Sequence, residues 1–204
     1  MKTKTIYFQS KKDQISSIGA VNDLGQKDGV WMSYHRNGKL HYVTEYRNGL
    51  KFGEQTYFSQ RGKVYAIYNY HRNKLQGKIK RFYENGNMMS ECHYENDKLH
   101  GICVFYHENG KQQAVRRFDN DKKHGHYTEW CERGCIRETG MYLNNDLQGK
   151  HVLYHIQSEE QSVVSYFDKG VRHGKTELFT YKGKLRQVRV YNDGELISRE
   201  EIEY

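Results

Sequence analysis

The stretch "GVWMSYHRNGKLHYVTEYRNGLKFG", residues 29–53, carries two Asn-Gly pairs between short aromatic and aliphatic runs and ends on the kind of residue that began it. "GVWMSY" reads as a strand, "HRNGK" as a turn, "LHYVTEY" as a second strand and "RNGLKFG" as another turn. Asn-Gly supplies the positive-φ positions that tight hairpin turns require. No apolar residues recur at a helical period, so the stretch is a β-hairpin.

The chain repeats it. Taking Gly29 as position 0 of a unit, glycines follow at 53, 77, 101, 125 and 149 in steps of 24 residues, and at 174 after a step of 25. Position 5 is always aromatic: Tyr34, Phe58, Phe82, Tyr106, Trp130, Tyr154 and Phe179. Position 9 is glycine in every unit except the one begun by Gly149, where "HIQSEEQ" replaces the turn and holds the extra residue. Position 17, corrected for that insertion, is Tyr46, Tyr70, Tyr94, Phe118, Tyr142, Phe167 and Tyr191. A fixed period of this length marks a repeat architecture. An isolated hairpin is marginal, and stacking lets each aromatic pack on its neighbours.

These observations predict an all-β fold: an elongated, single-layer, twisted sheet of antiparallel β-hairpin repeats, about seven 24-residue units and fourteen short strands. Residues 1–28 fit no unit and read as an N-terminal cap or partial repeat, 29–198 as the seven repeats, and 199–204 as a C-terminal tail. Composition agrees. Mean hydropathy is −1.02, near the disordered range, yet 14% of residues are aromatic and 18 are Tyr, which disordered chains lack. Proline is absent, as suits strands whose every N–H is wanted by a ladder.

Register is less determined. If the first turn has three loop residues with its glycine left-handed, positions 5 and 11 share one face. The aliphatic position 14 (Val43, Ile67, Val115, Val164, Val188) then points to the other. Either a bulge intervenes or both faces are partly apolar.

The pattern Y-x-x-N-G-K followed by Y-x-N-(G/D)-x-x-(H/Q)-G, as in "YHRNGKLHYVTEYRNGLKFG" and "YENGNMMSECHYENDKLHG", resembles the MORN-repeat variant family over about residues 29–198. The resemblance implies a hairpin scaffold that binds proteins or, in some members, phospholipids, and its bacterial members are often described as antitoxins. It specifies architecture far better than partner.

Against this frame the chemistry-bearing residues lose most of their force. In "YHENGKQQAVRRFDNDKKHG", residues 106–125, His124 looks catalytic or metal-binding in isolation. It holds the same repeated position as His100 and His173, filled elsewhere by Phe52, Gln76 and Gln148, whereas a catalytic histidine needs a unique setting. No catalytic residue, metal site or cofactor is expected, and the chain reads as a non-enzyme. Cys131 and Cys135 flank a turn at positions 6 and 10. That would make them a cross-strand pair, but the simpler reading is two small apolar residues. With no apolar core preceding a cleavage site near the N-terminus, a cytoplasmic protein with reduced thiols is expected.

A net charge of +8 points to an acidic partner. The leading expectation is a scaffold that binds and blocks one protein partner, such as a toxin, defence or host factor. The alternative is a module for anionic lipid or nucleic acid on a Tyr/Arg-rich face. Aromatic and Arg residues outside the repeated ladders are the expected partner-binding set: Trp31, Tyr42, Tyr57, Tyr68, Arg81, Tyr83, Phe105, Arg116 and Arg117.

Overall fold

The structure, a computed structural model, describes residues 2–9 and 11–203, and every regular element among them is a strand. Two compact units divide the chain at Lys98 and Leu99. The first contains β1 (Lys2–Phe8), β2 (Lys11–Val21), β3 (Lys27–Tyr34), β4 (Leu40–Arg47), β5 (Leu50–Phe58), β6 (Val64–His71), β7 (Lys74–Leu75), β8 (Gly77–Phe82) and β9 (Met88–Glu95). The second contains β10 (Lys98–Tyr106), β11 (Gln112–Asp119), β12 (Lys122–Lys123), β13 (Gly125–Trp130), β14 (Ile136–Leu143), β15 (Asp146–Leu147), β16 (Gly149–Tyr154), β17 (Gln161–Asp168), β18 (Val171–Phe179), β19 (Leu185–Asn192) and β20 (Glu195–Glu201). Within each unit successive strands pair antiparallel, giving the expected hairpin-repeat fold. The strand segments outnumber the fourteen expected, partly because β7, β12 and β15 are short pieces set off from the next strand by one residue.

Both turn types follow from their residues. In the first, Gly38 N–H donates to His35 O at 2.9 Å and His35 N–H to Lys39 O at 2.8 Å, with Gly38 at φ 81°. This is a three-residue loop closed by a left-handed glycine. Tyr34 therefore pairs Leu40, and the chain bulges beside the turn. The second turn has two residues, both at positive φ: Asn48 and Gly49, then Arg72 and Asn73, Asn96 and Asp97, Asn120 and Asp121, Asn144 and Asn145. Asn and Asp tolerate this region, and here their side chains add a second bond. Asp97 N–H donates to Leu75 O at 3.0 Å while Asp97 Oδ1 accepts from Leu75 N–H at 2.7 Å. Asn73, Asp121 and Asn145 make the same pair of bonds to Lys51, Leu99 and Lys123. Each of these turns is thus tied to the strand that follows the turn a repeat earlier, at the residue two places beyond that turn.

Both alternatives for register hold at once. A register shift adjoins each three-residue turn, and both faces carry apolar side chains. Positions 2, 4, 13, 15 and 17 share one face. Position 14 lies on the other with exposed Val30, Met32 and Ile102 and buried Val152 and Val164.

The deepest row is not an aromatic ladder. It is position 2, whose seven residues, Trp31, Gln55, Ile79, Cys103, Tyr127, His151 and Thr176, are all buried. In the first unit the row runs Gly19, Trp31, Thr44, Gln55, Tyr68 across paired strands. Large and small side chains interdigitate along it. A Cβ on Gly19 would lie 2.4 Å from Trp31 Cγ, so only glycine admits the indole, whose Nε1–H donates to Ala20 O at 2.7 Å. The polar members are mostly satisfied: Gln55 Oε1 accepts from Lys51 Nζ at 3.0 Å, and Thr176 Oγ1 lies 3.3 Å from Ser165 Oγ. Thr44 Oγ1 is buried with no partner. An unmade hydrogen bond of this kind costs about 1–3 kcal/mol. Thr44→Val, equal in shape, is therefore expected to raise stability by about 1 kcal/mol, read as a higher urea midpoint. A lower midpoint would show that the hydroxyl is bonded after all.

The ends differ from the sequence reading in detail. Residues 1–28 contain a hairpin, β1 with β2, and β2 pairs β3. At the other end β20 continues through Ser198 to Glu201, so the predicted tail begins inside a strand. A cross-strand disulfide joins Cys131 to Cys135, with Cα atoms 5.4 Å apart, overturning the reading of two reduced, apolar turn residues. Positions 6 and 10 face each other as a hydrogen-bonded pair, Cys131 N–H to Cys135 O at 2.9 Å, which brings the two thiols together. The bond also removes reduced thiols as a ground for a cytoplasmic location.

Candidate interaction surface

Unit by unit, the register places Trp31, Tyr42, Tyr57, Tyr68 and Arg81 in the first, and Phe105 and Arg116 in the second, on that unit's face carrying position 2. Trp31 is only 1% exposed, so it belongs to the core and presents nothing to a partner. Arg117 stands opposite Ile102, on the other face from Arg116, which stands opposite Cys103. Adjacent strand residues alternate between faces, so the two arginines do not form one basic pair. Tyr83 lies just past β8, beside the turn, and lines a cleft of about 380 Å³ with Tyr65, Val64, Ser59 and the ion pair Arg61–Glu84.

In the first unit the tyrosines cluster. Ring centroids of Tyr42 and Tyr57 are 5.7 Å apart, and those of Tyr57 and Tyr68 are 5.3 Å apart, with interplanar angles of 56° and 63°. Tyr65 and His41 join Tyr57 at 5.8 and 6.1 Å. Sequence reading missed these two because they hold position 12, which the bulge turns toward the same cluster as position 13. Burial, and then the neighbouring Tyr70, push the Tyr57 hydroxyl well above its ordinary pKa, so Tyr57 stays neutral. Its tyrosines are polar only at their hydroxyl tips, the amphipathic character that suits Tyr to interfaces.

Cations lie over these rings. Arg81 sits 6.0 Å from the Tyr68 centroid, Lys51 4.6 Å from Tyr70, and Lys27 4.2 Å from Trp31 and 4.8 Å from Tyr46. Burial, then Lys51 and Lys4, lower the Lys27 pKa, so these amines feel one another. None of positions 2, 4, 13, 15 and 17 in the repeats begun by Gly29, Gly53 and Gly77 is Asp or Glu. This stretch of face is aromatic and cationic with no carboxylate in its rows.

The second unit fills the same positions differently. Arg116 Nη2 meets Glu129 Oε1 at 2.5 Å, and Arg137 holds the other oxygen of that carboxylate. Arg116 also lies 5.3 Å over Phe105. Its charge is therefore committed within the protein. Nearby, Tyr127 O–H donates to Glu138 Oε1 at 2.5 Å, and His151 Nε2 lies 2.9 Å from the same oxygen, donating in its Nε2–H tautomer. Burial alone would raise the Glu138 pKa. The bonds from Tyr127 and His151, with the charge of Arg137, win and hold it below its ordinary value. Burial and Glu138 push Tyr127 far upward. Although this is a tyrosine, a carboxylate and a histidine in contact, all three lock onto one another inside the packed rows.

Two of the repeated histidines have a neighbouring carboxylate, and the third is held by its backbone. His100 Nδ1 lies 3.3 Å from Asp119 and His173 Nδ1 3.5 Å from Asp193, while His124 N–H donates to Arg117 O at 3.0 Å. Among the described residues no group of three or more His, Cys, Asp and Glu is placed to hold a metal ion, and no helix is long and apolar enough to cross a membrane.

The family model of the MORN repeat variant matches residues 27–48, 75–96 and 99–120, three of the repeats described above. MORN repeats are generally associated with binding and scaffold roles and are typically non-enzymatic. No curated protein matches the sequence. Among solved structures, alternansucrase in complex with isomaltononaose is similar at 16% identity and a TM-score of 0.19, over 86% of this chain and 18% of that one.

Proposed function

We propose that this protein is a non-enzymatic scaffold that binds one protein partner through the Tyr-rich face of its first unit and blocks it, in the manner of an antitoxin, immunity protein or inhibitor. The observation that carries the reading is the contrast between repeated and unrepeated positions. Turn residues and the position 17 aromatics recur because each repeat needs them, whereas Tyr42, Tyr57, Tyr68 and Arg81 are each of a residue type found at their position in no other repeat. Rigid aromatic and Arg side chains carry most interface energy, and an asymmetric set suits a single partner better than a repetitive polymer.

Affinity capture from the native cell, followed by mass spectrometry, is expected to recover one protein at fixed stoichiometry. Tyr57→Ala with Tyr68→Ala should weaken its retention at least about tenfold, two interface aromatics each being worth on the order of 1 kcal/mol or more. Recovery of RNA or lipid alone would overturn the proposal in favour of a module for anionic polymers or membranes.

A further inference from the structure

The three-residue turns are packed differently from repeat to repeat. Where position 6 is histidine, its ring reaches the next repeat: Nε2 of His35, His107 and His155 lies 2.8, 3.0 and 3.1 Å from the main-chain oxygens of Phe58, Trp130 and Phe179, all at position 5. In the first repeat that ring also stacks on position 12, with the His35 and His41 centroids 4.3 Å apart and their planes 36° from parallel. The second repeat keeps a ring at position 12, Tyr65, but has Ser59 at position 6. So small a side chain cannot cover a phenol ring, and the Ser59 hydroxyl instead accepts from Lys63 N–H at 3.2 Å. Tyr65 is accordingly 41% exposed, where His41 is half-buried. No other repeat combines these features, since only the first two have a ring at position 12.

The cleft of about 380 Å³ opens at this pair, lined by Ser59, Val64, Tyr65 and Tyr83. Its volume falls within the roughly 300–1,000 Å³ usual for ligand pockets. The charges beside it do not select an ion: Arg61 pairs with Glu84, and Lys63 Nζ donates to Glu84 O at 2.6 Å. What the cleft lacks is the ring that the preceding repeat supplies from its own chain. Tyr65 also meets Tyr57 at 5.8 Å, so an occupant lying on Tyr65 adjoins the tyrosine cluster.

We propose that this cleft receives an aromatic side chain of the protein partner, stacked on Tyr65 as His35 is stacked on His41. The inference rests on the protein-binding reading and adds the partner's anchor to it. Aromatic pairs in tilted or offset contact gain more than the area they bury. A ring seated in a pocket beside an aromatic patch is also the kind of anchor that dominates interface energy.

The test uses the full chain, with N-acetyl-phenylalaninamide and N-acetyl-tryptophanamide as side-chain probes and N-acetyl-cyclohexylalaninamide as the equally bulky, non-aromatic comparison. In NMR titrations the aromatic probes are expected to shift the backbone amides of Ser59, Tyr65 and Glu84, and the cyclohexyl probe to bind at least about threefold more weakly. Ser59→His should close the cleft from within by placing an imidazole on Tyr65, and should weaken both the aromatic probes and retention of the captured partner at least about tenfold. Ser59→Ala, which leaves the cleft open, and Tyr65→Phe, which keeps the ring, should retain both. Circular dichroism confirms the fold of each variant. Equal binding of the cyclohexyl probe, absence of the shifts, or native-like binding by Ser59→His would overturn the proposal. If Ser59→His leaves capture of the partner intact while Tyr57→Ala with Tyr68→Ala weakens it, the anchor inference falls and the scaffold reading stands. If capture yields only nucleic acid or lipid, both fall.

Discussion

Trp31→Ala is expected to lower the stability of the first unit by about 3–5 kcal/mol, the range for removing a large aromatic from a packed interior. The indole has almost no exposed surface and packs edge-on against Tyr46 at 6.4 Å. Burying an aromatic of this size withdraws on the order of 200 Å² from water, which at about 25 cal/mol per Å² gives roughly 5 kcal/mol as an upper bound. The surroundings cannot collapse into the gap, because the strands on either side are fixed by their ladders and Gly19 has no side chain to offer. Amide hydrogen exchange across β2, β3 and β4 should show the loss locally. The converse substitution tests the same packing. Gly19→Ala drives a methyl into the ring and should cost about 1–3 kcal/mol as overpacking. In a Trp31→Ala background that penalty should largely vanish, because the ring atoms it struck, Cγ, Cδ1 and Cδ2, are gone. Additive effects of the two substitutions would mean that glycine and indole are not packed as described.

That pairing shows where sequence reading stops. The 24-residue period, the two turn types and the aromatics at positions 5 and 17 were all legible, because each is a local requirement repeated in every unit. Position 2 was not. It holds Trp, Gln, Ile, Cys, Tyr, His and Thr in turn, so no residue type recurs to announce it. Its identity is set across strands, as with Gly19 and Trp31, twelve residues apart in sequence and paired in register. The same blindness placed Trp31 among the partner-binding residues: a Trp off the ladders looked like surplus, whereas it is the largest piece of the core. Arg116 and Arg117 show a different cross-strand effect. Strand alternation sends these sequence neighbours to opposite faces, and Glu129, thirteen residues from Arg116, pairs with one of them. Tyr42, Tyr57, Tyr68 and Arg81 lie on one face because their positions do, whichever side chain fills the core row between them.

Glu138→Ala is expected to cost about 2–4 kcal/mol, since it leaves two donors on buried residues, Tyr127 O–H and His151 Nε2–H, without their acceptor, at about 1–3 kcal/mol each. Gly140 marks how closely these groups fit. A Cβ there would come within 2.8 Å of Tyr127 Cε1 and 3.2 Å of His151 Cδ2, so the two side chains close over bare backbone and have no room to find new partners. Glu138→Gln should cost less, because its amide oxygen can still accept from Tyr127. The two substitutions separate further with pH. The folded protein holds the Glu138 carboxyl below the ordinary 4.5, so the unfolded chain takes up the proton more readily. The carboxylate's contribution is therefore fully present above about pH 4.5 and is lost as pH falls through the lower, folded value. Urea midpoints taken from neutral pH downward should fall more steeply for the native protein than for Glu138→Gln, and the two curves should converge in acid. Parallel curves would show that the carboxylate is not held in its charged form by Tyr127, His151 and Arg137, and the locked trio would then lose its electrostatic basis.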